Sequence, residues 1–234
     1  MGKVTILPDT TLNPITKMGE MAGVCWGAET DNRIANYQRG WECVKSGHGR
    51  VMEYVNVEMI LEGYSARVMR EWYTHIGGAP TRLQASTRYI DYGEFEYVTP
   101  PSIKRNPIAC ATYQRVMKDI SNALITLEDF DEVPREDAAM LLPLGMTTRV
   151  VDKRNLRNLI DMSRNRQCVR ALWEFRECFD AICDGLIQYG LDNGSGEWGT
   201  IITTQMKPKC KVLGYCPEKH GCGMMPGRGS NAAD

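Results

Sequence analysis

Apolar residues recur along this chain at two spacings, three to four residues apart in some stretches and every second residue in others, which separates helices from strands. Residues 3–7, KVTIL, read as a short strand, and residues 12–21 as a helix with Pro14 in its first turn. Residues 31–45 give a polar amphipathic helix with Ile34, Tyr37, Trp41 and Val44 on one face. A turn at 46–49, Ser-Gly-His-Gly, leads to residues 50–61, RVMEYVNVEMIL, whose alternation predicts a strand. Val51, Glu53, Val55 and Val57 share one of its faces, and Met52, Tyr54, Asn56 and Glu58 the other. With polar residues on both, one face is expected to border a cleft or a subunit contact.

From Ser65 the pattern turns helical again. Ala66, Met69, Trp72 and Tyr73 trace a buried face, and Gly77, Gly78 and Pro80 then stop the helix and free the backbone for a tight loop. If the following segment is extended, Arg82, Gln84, Ser86 and Arg88 fall on one face. Residues 99–107, TPPSIKRNP, read as a rigid connector without regular structure. A long helix over 108–130 carries the stripe Tyr113, Val116, Met117, Ile120, Ala123, Leu124 and Leu127, core or subunit interface. A short helix opens at Pro134 with acidic residues in its first turn and ends at Leu142-Pro143. The last helical region, 155–189, breaks near Asn165. Its buried stripe is Ala171, Leu172, Phe175, Cys178, Phe179, Ile182 and Cys183.

At 234 residues, one domain of ordinary size is expected. Lys plus Arg is 28 against Asp plus Glu 29, so a general polyanion binder is excluded and any phosphate site must be local. The N-terminus lacks the apolar core of a signal peptide, and no apolar run reaches spanning length, so neither a membrane nor nucleic acid is an expected partner. Nine cysteines, an odd number without a secretion signal, favour reduced thiols in a cytoplasmic protein.

Candidate chemistry gathers in three places. Two guanidiniums and a hydroxyl on the Arg82–Arg88 face suit a phosphate or carboxylate, or form a solvated strand face. Arg164, Arg166 and Arg170 form a basic helix face. Near the C-terminus, Cys210, Cys216, His220 and Cys222 have zinc-ligand chemistry. Their C-x5-C-x5-C spacing lacks a close C-x2-C knuckle, so free cysteines and no metal are expected. Residues 227–234, GRGSNAAD, are too small and polar to order themselves.

The run Ser86-Thr87-Arg88-Tyr89 resembles the end of the signature of the flavin-dependent thymidylate synthases, and Arg70-Glu71-Trp72-Tyr73 resembles the segment leading into it. Thr74-His75-Ile76 stands where that family has an arginine-histidine-arginine triplet, the following loop is two residues longer, and Leu83 replaces an asparagine. His48 with Glu53-Tyr54 is similar to an earlier histidine-containing segment of the family. Leu141-Leu142-Pro143 and Asn155-Leu156-Arg157 continue the likeness, with Ala139 where a nucleotide-binding arginine is usual. Arg166 and Ala171-Leu172-Trp173-Glu174-Phe175-Arg176 complete it, Leu172 replacing a glutamine. The likeness spans about residues 20–190 in matching order.

This resemblance implies an α+β fold, an antiparallel sheet flanked by long helices, in a homotetramer with shared active sites. Residues 1–206 would form the single catalytic domain and 207–234 a cysteine-containing extension. The implied enzyme methylates dUMP to dTMP, with methylenetetrahydrofolate as carbon donor and FAD, reduced by NADPH, as hydride source. It implies Ser86 and Arg88 as the catalytic pair, and Glu71, Gln84, Ser86, Arg88 and Arg166 on dUMP. Ser86 reads as a binding residue, because no local histidine is arranged to activate it as a nucleophile. His75, Asn155, Arg157, Asp161, Arg170 and His48 are the implied FAD residues. The rival is a nucleotide- or nucleic-acid-binding protein on the same fold without synthase activity.

Overall fold

A computed structural model describes residues 2–228. Four strands, β1 (Lys3–Ile6), β2 (Asn56–Ser65), β3 (Thr81–Gln84) and β4 (Thr147–Asn155), form one antiparallel sheet in the order β1-β2-β4-β3. Alternation explains the central pair. Val57, Met59 and Leu61 of β2 are fully buried, and on β4 Thr148, Val150, Asp152 and Arg154 point inward while Arg149, Val151 and Lys153 face water. Glu58 pairs with Lys153 at 2.6 Å and Glu62 with Arg149 at 2.9 Å, which fixes the antiparallel register.

The helices are α1 (Pro14–Cys25), α2 (Arg33–Lys45), α3 (Gly49–Met52), α4 (Ala66–Trp72), α5 (Pro101–Lys104), α6 (Pro107–Glu128), α7 (Arg135–Ala138), α8 (Leu156–Arg166), α9 (Trp173–Asp192), α10 (Glu197–Gln205) and α11 (Lys209–Leu213). A single 3-10 turn, Ala139–Leu141, follows α7. Contacts group these elements into two compact units. One takes the stretch ending at Lys3, Leu61–Thr74 and Arg82–Val151, and the other takes Val4–Ile60, His75–Thr81 and the stretch from Asp152 on.

In the first unit, Phe95, Met117, Leu124, Ala138 and Met146 form the core, with Tyr113, Ile120 and Leu127 of α6 packed against it. Val116, expected in that stripe, is 41 % exposed. In the second unit, Ile15, Met18, Phe175, Phe179, Ile182, Trp198 and Ile201 are fully buried. There α1 and α2 meet through glycines: a Cβ on Gly19 would strike the Asn36 carbonyl, and one on Gly40 the Ile15 carbonyl. That contact turns Asn36, Gly40, Cys43 and Val44 inward. Ile34 and Tyr37, expected inside, are exposed, because backbone proximity rather than side-chain size selects the buried face of α2. Helix α1 has no cap from its own flanking residue. Its N-terminus is closed instead by Glu197, whose carboxylate accepts from the Ile15 and Thr16 backbone N–H groups at 2.7 and 2.9 Å.

Several expected boundaries shift. Residues 50–61 do not form one strand: α3 takes Gly49–Met52, a turn follows, and β2 runs Asn56–Ser65. Placing Val55 in the core satisfies the alternation from there onward, and the Ser65 hydroxyl then caps α4 by accepting from the Val68 N–H at 3.3 Å. Strand β3 stops at Gln84, so Ser86 and Arg88 leave the Arg82–Gln84 face and enter a turn. The 99–107 connector contains the short helix α5, since Pro101 suits a first helical turn. The break near Asn165 falls at 167–172. Of the polar terminal residues 227–234, those from 229 lie outside the described part.

Replacing Glu197 by Ala should leave the buried Ile15 N–H and the half-buried Thr16 N–H without their acceptor. Equilibrium urea unfolding should show a loss of about 2–4 kcal/mol, whereas no change would mean that α1 needs no cap.

Candidate active site

The site in the second unit grows from the junction of β4 and α8. Asn155 ends the strand in extended conformation and caps the helix, its Oδ1 accepting from the Asn158 backbone N–H at 2.9 Å. The other end of that amide, Nδ2, lies against Gly78, where any Cβ would collide with it. Gly78 also sits at φ +72°, so close approach and backbone conformation both require glycine. Arg157 reaches from the first turn of α8 to Glu53, Nη1 to Oε1 at 2.6 Å. Glu53, Gly77, Gly78, Asn155, Arg157, Asn158 and Asp161 line a cavity of about 300 Å³. Its Asp161 pairs with Arg164 at 3.3 Å.

His75 lies on the loop carrying Gly77 and Gly78. Its Nε2 accepts from Arg166 Nε at 2.9 Å, which leaves the ring proton on Nδ1. The Arg166 guanidinium sits 4.7 Å over the Phe175 ring, and the His75 ring meets Phe175 edge-on at 6.1 Å. Burial pushes the His75 pKa down from 6.5 to about 4, with the charges of Arg166 and Arg154 adding to the effect. The imidazole is therefore a neutral donor at physiological pH.

Arg170 donates to the His220 carbonyl at 2.8 Å and lies 3.6 Å from Glu218. It lines a second cavity, about 320 Å³, with Arg164, Arg166, Cys168, Cys210, Cys216 and Cys222. None of the nine cysteines forms a disulfide among the described residues, and there no group of three or more His, Cys, Asp and Glu could hold a metal ion. No described helix is long and apolar enough to cross a membrane.

The first unit holds Glu71, Gln84, Ser86 and Arg88. Ser86 Oγ accepts from the Arg88 backbone N–H at 3.2 Å, a local turn that fixes both residues. The Arg88 guanidinium is engaged by the Glu136 carboxylate. Gln84 reaches Thr148 at 3.4 Å, and the Glu71 carbonyl accepts from the Thr74 hydroxyl at 2.7 Å. Ala139 occupies the 3-10 turn. Arg135, four residues earlier, lines a cavity of about 320 Å³ together with Arg88, and it holds the Tyr89 carbonyl at 3.1 Å.

Of the residues singled out from sequence, Asn155, Arg157 and Asp161 share one cavity, Arg166 joins His75 by contact and Arg170 by a common cavity, and Ser86 joins Arg88. His48 is exposed at the start of α3 and is not among the residues lining these cavities. Sequence reasoning missed Arg135, Arg154 and Asn158. Residues 147–155, TTRVVDKRN, show no alternation of apolar and polar residues, so the sequence carried no pattern signal for Arg154.

The chain belongs to the family described as thymidylate synthase complementing protein, which it matches over residues 7–188. Among its relatives is a flavin-dependent thymidylate synthase of Nitratidesulfovibrio vulgaris, 32% identical over 196 residues, 80% of this chain and 76% of that protein. Flavin-dependent thymidylate synthases of Thermococcus onnurineus and Thermococcus kodakarensis are each 30% identical, over 74% of this chain and 69% of theirs.

The His75 ring resonances should titrate near pH 4 by NMR, and Arg166→Leu should raise that value only part of the way to 6.5, since burial, the larger cause, remains. In the window between those values the unfolded chain binds a proton that the folded chain refuses, so stability should fall as pH drops from 6.5 toward 4. A titration near 6.5 in the unsubstituted protein would remove the neutral assignment.

Proposed function

We propose that this chain is a flavin-dependent thymidylate synthase, methylating dUMP to dTMP with methylenetetrahydrofolate as carbon donor and FAD reduced by NADPH as hydride source. The carrying observation is the cavity in which Asn155, Arg157 and Asp161 meet the Gly77–Gly78 loop, in a chain of this family. The lining fits a flavin: two amides and a guanidinium offer donors to its carbonyl and phosphate oxygens, and Gly78 keeps the loop backbone close. When bound, the flavin supplies the redox chemistry, leaving the protein to bind, orient and exclude water.

The residue roles follow their chemistry. Ser86, Arg88 and Arg166 suit the nucleotide, with a hydroxyl and two guanidiniums for a phosphate dianion. Arg88 meets the Glu136 carboxylate, and a phosphate would take its place on the same guanidinium. Gln84 and Glu71 are the remaining nucleotide residues. His75 presents Nδ1–H as a donor beside Arg166, and it joins Asn155, Arg157, Asp161 and Arg170 as the flavin set. His48, exposed at the head of α3, is the outlying member of that set. The active assembly is a homotetramer with shared sites, working in the cytoplasm. A second reading, a nucleotide-binding protein without synthase activity, draws on Ala139 and the Thr74-His75-Ile76 triplet.

Purified protein should show the visible absorption of a bound flavin, bleaching when NADPH is added anaerobically and faster with dUMP present. Colourless protein that takes up no added FAD would overturn the assignment. Flavin that bleaches with no dTMP formed would favour the second reading. Arg88→Ala and Arg166→Ala should each raise the KM for dUMP roughly ten- to hundredfold, the effect of one charged hydrogen bond.

A further inference from the structure

Strand β4 buries two opposite charges on one face. Asp152 is fully buried and Arg154 is 2 % exposed. Their fork is bidentate, Nε to Oδ1 and Nη2 to Oδ2, both at 2.6 Å. Packing alone does not call for such a pair, since apolar residues of similar volume usually serve as well or better. What the pair does that they cannot is hold an amide. Arg154 Nη1 donates to Asn158 Oδ1 at 2.5 Å.

That contact settles which way Asn158 faces. A guanidinium has donors only, so the atom turned to it must be the amide oxygen, and Nδ2 then points the opposite way. Nδ2 lies 3.2 Å from where a Cβ on Gly77 would be, beside the cavity that Asn158 lines. Asn155 obeys the same logic, its oxygen spent on the α8 cap and its Nδ2 against Gly78. Two amide NH₂ groups thus meet the Gly77–Gly78 loop on one wall of one cavity. Without Arg154, the Asn158 amide could turn over and present an acceptor instead.

We propose that the Asp152–Arg154 pair is a positioning device for Asn158, and that Asn158 is a binding residue whose Nδ2–H donates to an acceptor of the cavity's ligand. On the reading above that acceptor belongs to the flavin, a carbonyl, ring nitrogen or phosphate oxygen, so the ligand's identity rests on that reading.

The test is a double-mutant cycle on FAD binding, followed by absorbance, with melting temperature and circular dichroism as fold controls. The apolar variant Asp152→Leu/Arg154→Met should keep the wild-type fold and lose about tenfold in FAD affinity, as should Asn158→Leu. Adding Asn158→Leu to the apolar variant should cost nothing more. A full additional loss, or unchanged affinity in the apolar variant, would overturn the proposal. Should the apolar variant fail to fold, Asn158→Asp decides: it keeps an oxygen for Arg154 but has no NH₂. It should bind FAD about tenfold more weakly, and unchanged affinity would overturn the role. If the unsubstituted protein takes up no FAD, the flavin reading fails by itself. The positioning role is then judged from the Asn158 side-chain amide by NMR. A resolved, shifted NH₂ pair that collapses to an averaged signal in Arg154→Met supports it, and an amide indifferent to that substitution overturns it.

Discussion

Asp152 and Arg154 leave water together, and strand β4 is inserted in the register that keeps both of them inside. A slip of one residue would bring Arg149, Val151 and Lys153 inward and throw the buried pair outward. The same register sets Arg149 opposite Glu62 and Lys153 opposite Glu58. It also delivers Asn155 to the point where the strand ends and α8 begins. Sheet register, helix start and cavity lining are therefore one constraint, and the buried charge pair belongs to it.

Legibility followed the apolar signal. Phe175, Cys178, Phe179, Ile182 and Cys183 announced the buried face of α9 because four-residue spacing of large apolar groups has few other meanings. The same logic failed for α2, where Gly40 and Gly19 decide the packing and glycine carries no hydrophobic signal. Strand β4 was invisible for the opposite reason. Its inward residues include Thr148, Asp152 and Arg154, and a pattern reader assigns such side chains to water. Residues 50–61 misled because their alternation continues through a helical turn, and only tertiary packing stops it at Val55.

For the site, residue types and order were readable, but pairings were not. Asn155 and Arg157 were recognisable from the family likeness, yet Glu53 as the partner of Arg157 lies over a hundred positions away in sequence. Ser86 and Arg88 were expected on a strand face and sit in a turn instead, held by a hydroxyl-to-backbone bond that propensity cannot foresee. Burial first, and neighbouring charge second, give His75 its character. Placed between Phe175 and Arg166, with Arg154 nearby, it behaves as a permanent neutral donor rather than a switch near neutral pH.

The two compact units are each assembled from separated stretches, and the second needs both Val4–Ile60 and everything described from Asp152 onward. During synthesis, α1 and α2 emerge early, but Glu197, which closes the start of α1, arrives some 180 residues later. Until then the glycine-packed helix pair waits with its end open and its apolar face uncovered. Such long-range closure makes for slow folding and a long exposure of sticky surface to chaperones. This fold thus exacts its cost in time on the ribosome, before any ligand is met.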